Sequence, residues 1–202
     1  MRRALRHLEA ADPALAGVIR QIGPYRMQYR EPDFSTLVRS IVYQQLSGKA
    51  AATIYGRLES ALEAKGGVTP ESLARVTTPR LRSFGLSGQK AAYVKDLALR
   101  TRSGALSFEA LPALSDDGVI EALTAVKGVG VWTAQMFLIF ALRRPDVLPV
   151  ADLGIQTAVQ RVYQLSERPG PKQVAEIGAR WRPWASVASW YLWRSLDNQA
   201  GI

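Results

Sequence analysis

The chain has 202 residues, 48% of them hydrophobic and 21% charged, enough to bury roughly 70% of the unfolded surface and to exclude a disordered or fibrous protein. Its formal charge of +9 favours a polyanionic partner, although a basic balance also serves solubility alone. The absence of cysteine excludes disulfides, zinc–thiolate centres, iron–sulfur clusters and a thiol nucleophile. No apolar run reaches the roughly 18 residues of a membrane span, and the opening MRRALRHLEAAD lacks the apolar stretch of a signal peptide. The expected location is the cytoplasm, on the nucleoid if the source is bacterial, with no membrane partner. The length suits one domain or two closely packed subdomains.

In chain order the pattern is helical, with almost no alternating strands. Asp33 precedes Phe34, Leu37, Val38 and Ile41, one apolar face behind a good N-cap. Gly48 interrupts, and Ala51, Ile54, Tyr55, Leu58 and Leu62 form a second stripe ended by Gly66-Gly67. Short helices broken at Pro79 follow. Ser87 then caps a helix carrying Ala91, Val94, Leu97 and Ala98, closed by Gly104. Residues 104–114 read as irregular. Ser115-Asp116-Asp117 places a cap and two acids at a helix start, where the macrodipole favours them, and Ile120, Leu123 and Val126 are its apolar face. Basic residues are scattered, so any cationic surface must be assembled by the fold.

Between that helix and the next, from Val131 to Leu142, lies Lys127-Gly128-Val129-Gly130, too short for anything but a tight hairpin. Glycines at both ends permit positive φ and the close approach of a backbone or a phosphate, and the following helix offers N–H groups to an anion. A plain helix–helix turn would use the same residues. The helix from Val131 is apolar on nearly every side, which marks it as central. Asp152 precedes a helix marked by Ile155, Val159 and Val162, so it stands at an N-cap. A cap is all that its position requires. In the last helix Trp184, Val187, Ala188 and Tyr191 form a core stripe. Trp193, nine residues after Trp184 and about half a turn round, points elsewhere. Trp181 and Trp190 read as core, and His7 joins no constellation.

LTAVKGVGVWTA (123–134) followed by LPVADLGIQTAV (148–159) resembles the helix-hairpin-helix superfamily of DNA base-excision glycosylases. SIVYQQLSGKAAATI (40–54), FGLSGQKAAYVKDLA (84–98) and RWRPWASVASWYLW (180–193) resemble its alkylation-repair branch, the type II 3-methyladenine DNA glycosylases. The resemblance covers about residues 34–197, and the chain starts directly with the helical body rather than with the N-terminal β-domain of some members. It implies an all-α, two-lobed fold forming one glycosylase domain over 1–202, with the active site in the cleft between the lobes. Residues 34–112 would form the first lobe. Residues 1–33 and 113–202 would form the second and carry the helix-hairpin-helix at about 116–142.

The implied activity is hydrolysis of the N-glycosidic bond of alkylated purines, of the 3-methyladenine and 7-methylguanine type, in double-stranded DNA. The family's catalytic aspartate falls on Asp152, whose charge would stabilise the cation developing on the sugar and could orient the attacking water. The lysine that forms a Schiff base in bifunctional relatives is replaced by Trp132, so a monofunctional, water-attack mechanism follows. Pocket aromatics fall on Trp132 and Trp193, where cation–π stacking favours a cationic base by roughly 0.5–2 kcal/mol. Flipping that base out of the duplex calls for a wedge. It falls on Gln45 or, with a slip of one residue, on Leu46. DNA contacts fall on Lys127, Gly128, Val129, Gly130 and Thr133 at the hairpin and on Ser47, Gly48 and Lys49 beside the wedge. No organic cofactor or catalytic metal is implied, although the carbonyls of Thr124, Val126 and Gly128 match a sodium or potassium site of the family's hairpin. A monomer is expected. The rival readings are a non-catalytic helix-hairpin-helix DNA-binding module and a bifunctional glycosylase/lyase.

Overall fold

The computed structural model describes residues 1–197. Among the described residues there are helices and short 3-10 turns and no strand. The helices are α1 (Arg2–Ala11), α2 (Pro13–Ile22), α3 (Phe34–Tyr43), α4 (Gly48–Leu62), α5 (Pro70–Arg75), α6 (Thr78–Ser83), α7 (Gly88–Arg102), α8 (Asp116–Thr124), α9 (Val131–Phe140), α10 (Leu153–Val162), α11 (Pro171–Gly178) and α12 (Ala185–Asp197). The helices start where capping chemistry dictates. Asp33 accepts the N–H of Thr36, Ser47 that of Ala50, Ser87 that of Lys90 and Ser115 that of Gly118, each satisfying a donor that the first turn cannot use. No helix of the described residues is long and apolar enough to cross a membrane.

The chain divides into two compact units, 30–137 and 1–29 with 138 onward. The expected boundaries differ, since the hairpin belongs with 30–137. It is tied there by the Lys127 N–H, which Asp96 accepts at 2.9 Å, and by the Gly128 carbonyl, which accepts from Gln44 Nε2 at 2.9 Å. In this unit α7 packs against α3, α5 and α6, and α3 against α4. Leu37, Val38, Ile41, Leu58, Leu73, Val94 and Leu123 are fully buried. The irregular stretch after Gly104 is part of the core: Phe108 packs edge-on to Phe34 and against Phe137, with centroids 6.2 and 6.1 Å apart.

In the other unit α12 packs on α2 and α10, and α1 on α2. Asp12, 1% exposed, begins α2 and accepts the N–H groups of Ala14 and Leu15 at 3.1 Å each. Its other oxygen accepts from the Tyr163 hydroxyl and, at 2.9 Å, from Trp181 Nε1. Burial, followed by the hydrogen bond to Asp12, pushes the Tyr163 hydroxyl pKa well up. Two details depart from the periodicity. Helix α12 begins at Ala185, so Trp184 precedes it half-buried, and every residue from Ala185 to Leu192 is buried rather than one stripe. Helix α9 stops at Phe140, and its first residues are not central. Val131 is 53% and Trp132 46% exposed, because the first turn emerges directly from the hairpin.

Candidate active site and nucleic-acid interface

The loop from Leu148 to Asp152 is drawn tight before α10. The Val150 N–H donates to Leu148 O and the Asp152 N–H to Pro149 O, both at 2.9 Å, and the buried Gln156 side chain donates to Val150 O at 3.0 Å. Asp152, 9% exposed, caps α10 as expected: its Oδ1 accepts the Ile155 N–H at 2.8 Å. The same oxygen accepts Trp193 Nε1 at 2.9 Å, while the indole stacks on Phe140 with centroids 5.7 Å apart and planes at 25°. Trp193 therefore orients the carboxylate, a role its sequence position did not suggest. Gly154 permits this closeness, since a Cβ there would stand 3.0 Å from Asp152 Oδ1 and 3.1 Å from Trp193 Cδ1. Two donors fixed on one oxygen at a helix N-terminus keep a carboxylate in a defined pose.

In the unit 30–137, the hairpin between α8 and α9 uses its two glycines differently. Gly128 has φ +77° and lies so close to the Tyr93 ring that a Cβ would fall inside it. Gly130 lies outside the left-handed region, and a Cβ there would meet nothing within 4 Å. The expectation of positive φ at both ends is thus corrected, and the steric demand falls on Gly128 alone. The Val129 N–H donates to Val126 O at 3.1 Å, a bond internal to the turn. Lys127 is anchored by its backbone on Asp96, and its side chain is largely exposed, 4.0 Å from Asp96 Oδ1. Burial opposes ionisation of Asp96. The Lys127 N–H and the Arg100 guanidinium outweigh it and hold the pKa below the usual carboxylate range. Thr133 is 5% exposed, with Gln44 Nε2 3.5 Å from its hydroxyl, so its side chain is turned into the unit.

The α3–α4 corner carries Gln45 and Leu46, the residues expected to act as wedge. Gln45 has φ +55°, rare for a residue with a side chain, and Gln45, Leu46, Ser47, Gly48 and Lys49 are all exposed. A cavity of about 270 Å³ opens beside it, lined by Arg39, Tyr43, Gln44, Gln45, Trp132 and Met136, among others. The Arg39 guanidinium lies 3.9 Å from the centroid of the Tyr43 ring. Among the described residues, no group of His, Asp and Glu side chains is placed to hold a metal ion. Two of the three carbonyls matched to a monovalent cation already accept a hydrogen bond. Val126 O accepts the Val129 N–H and Gly128 O the Gln44 amide, which leaves each oxygen one further lone pair.

Two helices joined by a glycine hairpin, with a loop ending in an N-capping aspartate, define a helix-hairpin-helix protein. Residues 38–183 match the HhH-GPD superfamily of base excision DNA repair proteins, and the chain belongs to that family. It is 35% identical over 169 residues to a putative DNA-3-methyladenine glycosylase of Bacillus subtilis, an alignment covering 81% of this chain and 59% of that relative. It is 34% identical over 194 residues to DNA-3-methyladenine glycosylase 1 of Schizosaccharomyces pombe, covering 94% and 85%. Among solved structures, the Schizosaccharomyces pombe 3-methyladenine DNA glycosylase in complex with abasic DNA superposes with TM-score 0.87 at 33% identity, covering 96% of this chain and 97% of that one. A DNA-3-methyladenine glycosidase from Bacillus halodurans gives 0.85 at 38%, covering 98% and 90%.

Proposed function

We propose that this protein is a monofunctional DNA N-glycosylase. It flips alkylated bases of the 3-methyladenine and 7-methylguanine type out of double-stranded DNA and releases them by hydrolysis, leaving an abasic site that starts base excision repair. The observation that carries the reading is the pose of Asp152, a carboxylate held on one oxygen by the Ile155 N–H and the Trp193 indole at the start of α10. A carboxylate so fixed needs no reorganisation when positive charge develops on the sugar, which makes it a transition-state stabiliser rather than a ground-state binder. The N-glycosidic bond breaks with its electrons leaving on the base, water forms the new bond to the same sugar carbon, and its proton passes to the Asp152 carboxylate or to solvent. A base alkylated at a ring nitrogen is already cationic and leaves readily. Trp132, half exposed and part of the cavity lining, offers such a base an electron-rich face.

The hairpin supplies grip without sequence reading: the Gly128 and Gly130 amides and the Lys127 charge meet a phosphate. Gln45, exposed on its strained corner, fills the gap in the stack. No lysine follows the hairpin, because Trp132 takes that position, and the strand is left intact. The protein acts as a monomer.

The test is base release from methylated duplex DNA, with released bases identified by chromatography and strand breaks scored before and after alkali. Alkylated purines should appear, with breaks only after alkali, and Asp152→Asn should abolish release while duplex binding stays within about threefold. Binding without release by the wild type would indicate a non-catalytic module. A borohydride-trapped enzyme–DNA adduct would indicate a lyase.

A further inference from the structure

Helix α7 carries a polar line, Lys90, Tyr93 and Asp96, spaced three residues apart and so displayed along one side of the helix. Each member meets backbone that the proposed function uses. The Lys90 ammonium donates to Val42 O at 2.8 Å and to Gln44 O at 2.6 Å. In this last turn of α3, Ile41 O already accepts the Gln44 N–H and Tyr43 O the Leu46 N–H. Lys90 thus supplies donors to carbonyls at the helix end that the chain's own N–H groups do not reach, with its charge complementing the helix dipole. Immediately beyond, Gln45 turns into the left-handed region. From the same corner, the Gln44 amide donates to Gly128 O. Tyr93 lies against Gly128, and Asp96 holds the Lys127 N–H. A second, open cavity of about 440 Å³ is lined by these parts, Gln44, Gln45, Lys90, Tyr93, Gly128 and Gly130 among them.

We infer that Lys90 is a positioning residue that fixes the Gln44–Gln45 corner in register with the phosphate-gripping hairpin, so that gripping a duplex and opening it are done by one rigid assembly. The inference rests on the proposed glycosylase reading and on Gln45 as its wedge. The ammonium touches no substrate and acts through the corner it holds. Burial lowers its pKa, and the two carbonyl acceptors stabilise the charged form in return.

The experiment pairs Lys90→Met with Gln45→Ala in a double-mutant cycle. Single-turnover excision of 7-methylguanine is followed in a fully paired duplex and in the same strand unpaired. In parallel, a duplex carrying 2-aminopurine reports base unstacking on binding by fluorescence. That second readout does not depend on excision, so failure of the glycosylase reading and failure of this inference give different results. Lys90→Met should slow duplex excision and the fluorescence rise by about tenfold, leave the unpaired strand within about twofold, and add less than about twofold in the Gln45→Ala background. Lys90→Arg should restore most of the rate. Equal slowing of paired and unpaired substrates, or multiplication of the Lys90 and Gln45 effects, would overturn the inference. So would loss of the fold in both Lys90→Met and Lys90→Gln, which would make Lys90 a structural cap alone.

Discussion

The unequal glycines of the hairpin allow the turn and the phosphate grip to be separated by two single substitutions. At Gly128 a side chain meets both obstacles: a left-handed backbone, costing about 1–2 kcal/mol, and the Tyr93 ring, which must move. A total of about 2–4 kcal/mol lowers Tm by about 4–16 °C for a chain of this size. At Gly130 neither obstacle exists, so Gly130→Ala should leave Tm unchanged or raise it by about 1–2 °C through the lower entropy of the unfolded chain. Its effect belongs to the ligand. A methyl group at Gly130 holds a phosphate away from N–H donors whose charge-assisted bonds are worth about 1.5–3 kcal/mol. Weakening one of them by about 1–2 kcal/mol means roughly five- to thirty-fold in affinity. The loss should be the same for damaged and undamaged duplex, because phosphate contacts carry no base information. Fluorescence anisotropy at fixed salt, beside a thermal melt, measures both quantities. Gly130→Ala with an intact melt and wild-type affinity would refute the phosphate grip and leave the glycines to the turn.

Trp193→Phe keeps the stack on Phe140 but removes the donor to Asp152; kcat should fall by about tenfold, the equivalent of one such hydrogen bond, with duplex affinity within about twofold. An unchanged kcat in single-turnover assays would dismiss Trp193 as the carboxylate's orienter. Asp12→Asn turns an N–H toward donors where a carboxylate accepted four; urea unfolding should show a loss of about 2–4 kcal/mol. Exchanging sodium or potassium for tetramethylammonium, which is too large for the hairpin carbonyls, at constant ionic strength should lower duplex affinity by more than about twofold, because Val126 O and Gly128 O each accept one hydrogen bond and keep a lone pair for a cation; an unchanged binding isotherm would remove the cation from the hairpin.

What could be read from the residues depended on reach along the chain. Asp33, Ser47, Ser87, Ser115 and Asp152 each cap a helix by bonding an N–H three residues ahead, a contact that local sequence determines. The helical class and the hairpin followed from the same short-range signals, whereas the roles expected at Gln45 and Leu46 came only from the family resemblance. Trp193 reaches Asp152 from 41 residues away and Lys90 reaches Val42 from 48. Nothing in helical periodicity says which helix end a distant lysine will meet. The burial of Thr133 is non-local in the same way, since Gln44, 89 residues away, packs over its hydroxyl. The hairpin went to the other unit because Asp96 and Gln44, far off in sequence, hold its backbone.

The division of the chain also orders its assembly during synthesis. Residues 30–137 are contiguous, so once they leave the ribosome their own helices hold the main packing partners of α3, α4 and α7. Helices α1 and α2 emerge earlier yet must wait. The Asp12 carboxylate between them has its acceptor sites filled by Tyr163 and Trp181, 151 and 169 residues downstream, and α2 packs on α10 and α12. A nascent chain therefore leaves the surface of α2 that meets α10 and α12 uncovered for the whole time that the intervening unit is made, at about 5–20 residues per second. Closing these two helices onto their downstream partners is the last and most non-local step of folding.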